Sequence, residues 1–503
     1  MAVKISITAS HDGGNIQFPN ASPGDAHGMV VHPTITSGRT AKCTVSLHVR
    51  PDVFTSLEDI AHMQYFSFRV FVSGLHGGHD AGTADEEPIK LLTVTYEIAN
   101  AHAVSYPEAW PGTTVFYSPR TSAPTPADDD AWRRNLTTRY VDGKLTWTHV
   151  HSVNGSVFFS YFPMYGYERH LKLVADCAAA AVAAGPSLAE YRPRIASLGQ
   201  TIQGRELECV SIGKGTTVAW IIHRQHPGET MAEFFAEGLL HRLLGVSPSS
   251  ELDEPTRRVL QAYRLHIVPN MCPDGSVLGH LRTNSVGANL NREWTTVRPD
   301  YVAPSPSRSP EVLSVLSAMD RTGVDFFLDV HGDEELPYVF FSGAERTPIW
   351  SKDAPDGTNG ERIRRLHGYF VSCYRRQNPD VQKEIGYPPP DSEEIAMAHM
   401  NVATNQVSNR FDCLGLTLEM PFKDCATNAD PERGFDVRRA KRLGADLVEA
   451  LEGIRPFLRA EGEFWKGVFG EEDEYVVPTD NFKEEGFVML KKRFYSDVRP
   501  HDA

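Results

Sequence analysis

The stretch VAWIIHRQHPGETMAEFFAEGLLHRLL, residues 218–244, decides how the second half of the chain is built. An apolar run, 218–222, stops at a polar turn holding His226, Pro227, Gly228 and Glu229, and a pattern with helical periodicity follows. Strand, turn and helix in that order form the repeating unit of an α/β layer. The turn also sets an imidazole and a carboxylate three residues apart, side chains that suit a borderline divalent cation. Two ligands do not close such a site, and alone the pair reads as a solvated turn.

The alternation of apolar runs and amphipathic helical patterns continues outward from this stretch, from about residue 205 to 459, which predicts a largely parallel central sheet. Four of the runs end in residues capable of chemistry. VAWII leads to His226 and Glu229, YRLHIVPN to Asn270 and Asp274, VDFFLDV to His331, and LGLTL to Glu419. Ligands of open α/β sheets bind beyond the carboxyl ends of the strands, so neighbouring parallel strands would gather these groups. His331 then supplies the third ligand. A His, Glu, His set leaves one tetrahedral position for water, as catalytic zinc requires. Glu419, outside the ligand set, is suited to take a proton from that water and pass it to a leaving amine.

The segment PNMCPDGSVLGHLRTNSVGANLNREW, 269–294, concentrates Asn and Arg on a turn-rich stretch. The guanidinium fork matches a carboxylate, so Arg282 and Arg292, helped by Asn291, could grip one while Arg282 polarises a carbonyl. The alternative is a solvated loop with Asn residues in its turns.

Residues 1–165 have a different texture. KISITAS, CTVSLHV, FSFRVFVSG, LLTVTYEI, TTVFYSP and LTWTHVH alternate in polarity and are separated by turn clusters such as HDGGN, SPGD, HGGHDAG and APTPADDD. They predict an N-terminal antiparallel β-sandwich. The expected division is a sandwich at 1–165, an α/β domain at 166–460 and a C-terminal extension at 461–503, charged and aromatic in GEEDEY and KEEGF.

The balance of 50 Lys and Arg against 65 Asp and Glu gives a formal charge of −15, which argues against broad binding to nucleic acid or an anionic membrane. No stretch approaches the ~18 apolar residues of a membrane span, and the first residues lack the apolar core of a signal peptide, so a cytoplasmic protein is expected. The seven Cys are scattered without CxxC spacing and read as free thiols.

HPGE, PDG with GHLRTN and GANLNREW, DVHGDE and LTLEMPF, in that order, resemble the zinc metallocarboxypeptidase family, and within it the cytosolic carboxypeptidase branch. The resemblance covers roughly residues 1–460 and includes FFSYFPMYGYERH, similar to that branch's junction between sandwich and catalytic domain. It implies one zinc per chain held by His226, Glu229 and His331, with Glu419 as general base and acid. It also implies Arg282 on the scissile carbonyl, and Asn291 with Arg292 on the substrate's terminal carboxylate. The implied substrates are C-termini of peptides or proteins, Glu in particular, as on acidic tails such as those of tubulin. Arg410 is the candidate cation for a Glu side chain, with Lys423 behind it. An aspartoacylase-like amidohydrolase acting on small acyl amino acids, or a silent binding protein, are the other readings of the same chain. Two departures stand out. Asn289 occupies the place where many members orient a ligand His with Asp, and residues 396–418 hold no Tyr for the substrate-capping role of digestive members.

Overall fold

In the computed structural model, which describes residues 3–19, 29–31, 34–37, 40–53, 61–75, 89–119, 126–183, 186–246, 252–295, 303–351 and 358–480, the alternating N-terminal segments become two sheets. One has the order Met29–Val31, Lys4–Thr8, Ser67–Ser73, Gly155–Ser160, Phe116–Ser118, Arg133–Arg134. The other has the order Thr34–Ser37, Thr40–Leu47, Leu91–Ile98, Lys144–His151, Arg139–Val141. Period-two burial is plain on Leu91–Ile98, where Leu92, Val94, Tyr96 and Ile98 point inward. Tyr96 and Trp147 of the second sheet lie 4.9 and 5.7 Å from Phe159 of the first, so the two inner faces share an aromatic core, as in a sandwich.

The expected antiparallel sheets are present, with one parallel pair among them: Thr40–Leu47 with Leu91–Ile98. Between them the chain makes a pass through the opposite sheet as Ser67–Ser73, and a there-and-back path returns it in its first direction. The expected turn clusters at 22–25 and 76–82, and the KEEGF stretch at 483–487, lie outside the described residues.

Contacts divide the chain into two compact units, Met1–Arg169 with Gly275–Arg282, and His170–Asp274 with Thr283–Ala503. The return of Gly275–Arg282 to the first unit is secured by polar groups. Asn15 donates its amide to the Gly279 carbonyl at 2.9 Å, and Asp52 accepts from the backbone N–H of Leu281 and Arg282 at 2.6 and 2.8 Å. Gly279 has φ +72°, and a Cβ there would stand 2.6 Å from the Gly14 carbonyl oxygen, so the close approach demands glycine.

The second unit is built on strands β1 Arg194–Gln200, β2 Glu206–Ile212, β3 Thr217–His223, β4 Tyr263–Val268, β5 Phe326–Asp333, β6 Phe340–Ser342 and β7 Leu414–Pro421. Their order is β1-β2-β4-β3-β5-β7-β6. The four central strands, β4-β3-β5-β7, are parallel, and antiparallel strands close both sides. β5 and β7 are buried along their whole length, which explains the apolar runs with which they begin. The main helices are α1 Tyr167–Ala183, α2 Met231–Leu243, α3 Glu254–Ala262, α4 Pro310–Thr322, α5 Thr358–Gln377, α6 Ala403–Phe411 and α7 Val437–Ile454. None of the helices in the described residues is long and apolar enough to cross a membrane, and all seven Cys are free.

Candidate metal centre and active site

β3 ends at His223, and the chain leaves the sheet through Arg224, whose φ of +55° lies in the left-handed region. That strain is held by the side chain, which turns back to donate from Nε to the Pro227 carbonyl at 2.9 Å and from Nη1 to Glu233 at 2.6 Å. Glu233, in the first turn of α2, also accepts from Asn270 at 3.0 Å and contacts His170 Nδ1 at 2.6 Å. A buried ionic knot thus fixes the turn that presents His226 and Glu229.

His331 comes from the end of the adjacent strand β5. Among the described residues, one ligand atom from each of His226, Glu229 and His331 lies within 4.8 Å of the other two, and all three residues are buried. The Glu229 carboxylate spans the pair, 2.6 Å from His226 Nδ1 and 2.8 Å from His331 Nδ1. The outer ring nitrogens are occupied: His226 Nε2 faces the Asn289 amide oxygen at 3.2 Å, and His331 Nε2 faces the Asp329 carboxylate at 2.8 Å. Asp329 also accepts from Gln225 at 2.6 Å, and Gln225 from the Trp294 indole at 2.8 Å. Both Nδ1 atoms are thereby turned toward the shared carboxylate. Two oriented imidazoles and one carboxylate, all buried, are a donor set that fits zinc. Burial opposes ionisation of Glu229, but the two imidazoles outweigh it and hold its carboxyl well below the usual range.

Glu419 is the register partner of His331 across the parallel pair β5 and β7. It is buried, and its Oε2 has no hydrogen-bond partner among the described residues. Burial, joined by repulsion from Glu229, Asp333 and Glu334 and opposed by His331, pushes its carboxyl well above the ordinary value. A carboxyl so poised binds and releases a proton readily.

Asn291 and Arg292 follow Asn289 in a short 3-10 turn, Leu290–Arg292. The Asn291 amide lies 3.4 Å from His331 Nε2 and accepts from Ala403 N–H at 2.9 Å, which ties this turn to the metal group. Arg292 is half-buried and donates from Nη1 to the Asn291 carbonyl at 2.9 Å. Arg282 belongs to the first compact unit, where its Nη1 donates to the Tyr106 hydroxyl at 3.2 Å.

Arg410 is not brought to the other site residues. Thr404, early in α6, meets Thr417, midway along β7, at 2.7 Å, and Ser408, further along the helix, lies against Gly415, so the helix runs back along the strand and Arg410 ends near its amino end. There Arg410 makes a two-pronged pair with Asp320 at 2.7 and 2.8 Å. Glu419 sits at the opposite end of the strand. Lys423 is buried, and burial lowers its ammonium to about 8 against the pull of Asp333, Glu335 and Glu334.

One residue escaped the sequence reading. The Tyr387 hydroxyl reaches Asp333 at 2.5 Å and Glu419 at 3.4 Å, while its ring, 40% exposed, packs edge-on against Phe340. It lies in GYPPP, upstream of the stretch where a Tyr was sought, and its signal was the Gly and Pro that stiffen the loop around it.

The ionic knot carries a pH signature. Burial lowers His170, but Glu233 and Glu208 outweigh it and raise the imidazole to about 9 from 6.5. Because the folded value is the higher, this contribution is complete below pH 6.5 and is lost as the pH rises through about 9. Thermal stability is expected to decline over that window, and His170→Gln should flatten the decline. Parallel curves for both proteins would exclude His170 as its source.

Residues 186–421 match the family described as zinc carboxypeptidase, and residues 7–162 match the cytosolic carboxypeptidase N-terminal domain. A metallo-carboxypeptidase from Burkholderia cenocepacia is 32% identical, with 90% of this chain and 100% of that one aligned at a TM-score of 0.69. One from Pseudomonas aeruginosa, solved in complex with (2-guanidinoethylmercapto)succinic acid, is also 32% identical over 90% and 100%, at 0.67. Cytosolic carboxypeptidase 6 of Homo sapiens is 29% identical over 155 residues, 29% of each chain.

Proposed function

Because the chain belongs to the zinc carboxypeptidase family, we propose that it removes single residues from free C-termini of peptides or proteins. The observation that carries this reading is the register pairing of His331 with Glu419, with His226 and Glu229 one strand away. His226, Glu229 and His331 would hold one zinc ion. Zinc there would supply a Lewis acid that makes water acidic near neutral pH.

The protein's own residues supply the rest. Glu419 takes the proton from the attacking water and delivers it to the leaving amine, a task suited to a buried carboxyl whose affinity for protons burial has raised. Asn291 and Arg292 receive the terminal carboxylate, and Arg282 polarises the scissile carbonyl. The sandwich at 1–165 precedes this catalytic domain at 166–460, with the extension at 461–503 behind. Acidic tails, such as those of tubulin, are the protein substrates to test first. Arg410, the candidate cation for a Glu side chain, pairs with Asp320, and this pairing weighs against that role.

The test is cleavage of one peptide as free acid and as C-terminal amide. The wild type is expected to prefer the acid strongly, since an amide leaves the Arg292 charge unpaired. Arg292→Lys keeps the charge and loses the planar fork, so kcat/KM for the acid should fall by roughly 1.5–3 kcal/mol in transition-state terms, the usual worth of a hydrogen bond to a charged group. Equal cleavage of acid and amide by the wild type would exclude exopeptidase action. An acid preference untouched by the substitution would move the clamp away from Arg292.

A further inference from the structure

The C-terminal extension lies beyond the residues matched to the zinc carboxypeptidase family, yet part of it reaches a loop of the active site. Residues 471–479 run along α5. A Cβ on Gly368 would stand 2.4 Å from the Asp473 carbonyl oxygen and the Tyr475 nitrogen, so helix and segment touch backbone to backbone. Ser372 donates to the Glu472 carbonyl at 2.7 Å, and Arg365 and Arg376 pair with Glu474 and Asp473 at 3.0 and 3.2 Å. The Tyr475 ring packs on His367 at 4.9 Å, and its hydroxyl donates to the buried Glu345 at 3.1 Å.

The same segment then pairs with the loop that carries Tyr387. Thr479 and Ile385 form a parallel β-bridge, with Thr479 N–H donating to Glu384 at 3.1 Å and Gly386 N–H donating to Thr479 at 3.2 Å. Lys383 adds a bond to the Glu472 carbonyl at 2.9 Å. Gly386 is wedged between Phe340 and Pro478, where a Cβ would meet them at 2.9 and 3.4 Å. The next residue is Tyr387, whose hydroxyl spans Asp333 and Glu419.

We propose that residues 471–479 are a positioning strap for the active site: anchored on α5, they hold Ile385 and Gly386 so that Tyr387 stands against Asp333 and Glu419. Gln382 holds Ile385 from within the loop, donating to its carbonyl at 2.8 Å and accepting from its N–H at 2.7 Å, and the bridge to Thr479 adds a backbone hold one residue from Tyr387, on Gly386. The effect on turnover rests on Glu419 as the catalytic base; the geometry of the strap does not. Tyr475 and Gly368 are positioning residues in this scheme and touch no substrate.

The experiment uses full-length, zinc-loaded protein with Gly368→Val, which forces side-chain bulk into the strap, and Tyr475→Ala, which removes an anchor without adding bulk. Zinc content is expected to stay at the wild-type level, while amide exchange over residues 384–387 quickens. In each variant kcat/KM should fall roughly tenfold, a coupling usual for residues that share one network. In a Tyr387→Phe background the same substitutions should have little further effect. Unchanged exchange at Gly386, or equal losses in both backgrounds, would overturn the proposal. Should Gly368→Val not fold, Tyr475→Ala decides alone. Exchange is read without turnover, so an inactive wild type would end the carboxypeptidase reading while Gly386 still decided the strap.

Discussion

Glu419→Gln is expected to fold, to keep its metal and to hydrolyse peptides on the order of 10²–10⁴-fold more slowly, the usual contribution of a positioned proton carrier. The amide has the shape of the carboxyl and can still meet the Tyr387 hydroxyl, which approaches Oε1 at 3.4 Å. It cannot take a proton at the position of Oε2, which has no partner among the described residues. Burial raises the native carboxyl from its ordinary value, and the amide, which cannot ionise, isolates the proton transfer. Single-turnover rates with metal analysis on the same sample decide it. A variant within a few fold of wild type would make Glu419 a structural carboxylate.

His331→Ala should lose zinc outright, and metal-dependent turnover with it. The imidazole is held on both sides, by Glu229 at 2.8 Å through Nδ1 and by Asp329 at 2.8 Å through Nε2, and alanine leaves both carboxylates without that partner. Asp329→Asn keeps the ligand and weakens only its orientation, for which a loss of about 10–100-fold in zinc affinity is expected. Titration against a competing chelator ranks the three proteins. Full stoichiometry in His331→Ala would take His331 out of the ligand set, and an Asp329→Asn affinity equal to wild type would show that the ring needs no such brace.

The grouping of His226, Glu229 and His331, with Glu419 on the next strand, could be read from sequence because each closes an apolar run. In a sheet with both faces covered, such runs are parallel strands, and their carboxyl ends meet. His226, Glu229, His331 and Glu419 follow from that single rule. Arg410 did not, because closeness to Glu419 in sequence says nothing about which end of the strand a preceding helix reaches. A helix that runs back along its strand delivers its last residues to the wrong end. Tyr387 was missed for the opposite reason: a loop position has no periodicity, and its partners Asp333 and Glu419 are distant in the chain. The parallel pair in the sandwich and the return of Gly275–Arg282 to the first unit depend on long-range pairing, which local alternation does not encode.

The ladder between β5 and β7 acts as a ruler whose smallest division is one residue. Because His331 and Glu419 are opposite each other on it, a single residue inserted or deleted within either strand would turn one of them to the far face of the sheet. Substitutions along these strands can be absorbed one side chain at a time, but a change of length cannot. Tolerated insertions and deletions in this half of the molecule are therefore confined to the connections, and the spacing from Phe326 to His331 and from Leu414 to Glu419 is fixed by chemistry as firmly as the two residues themselves.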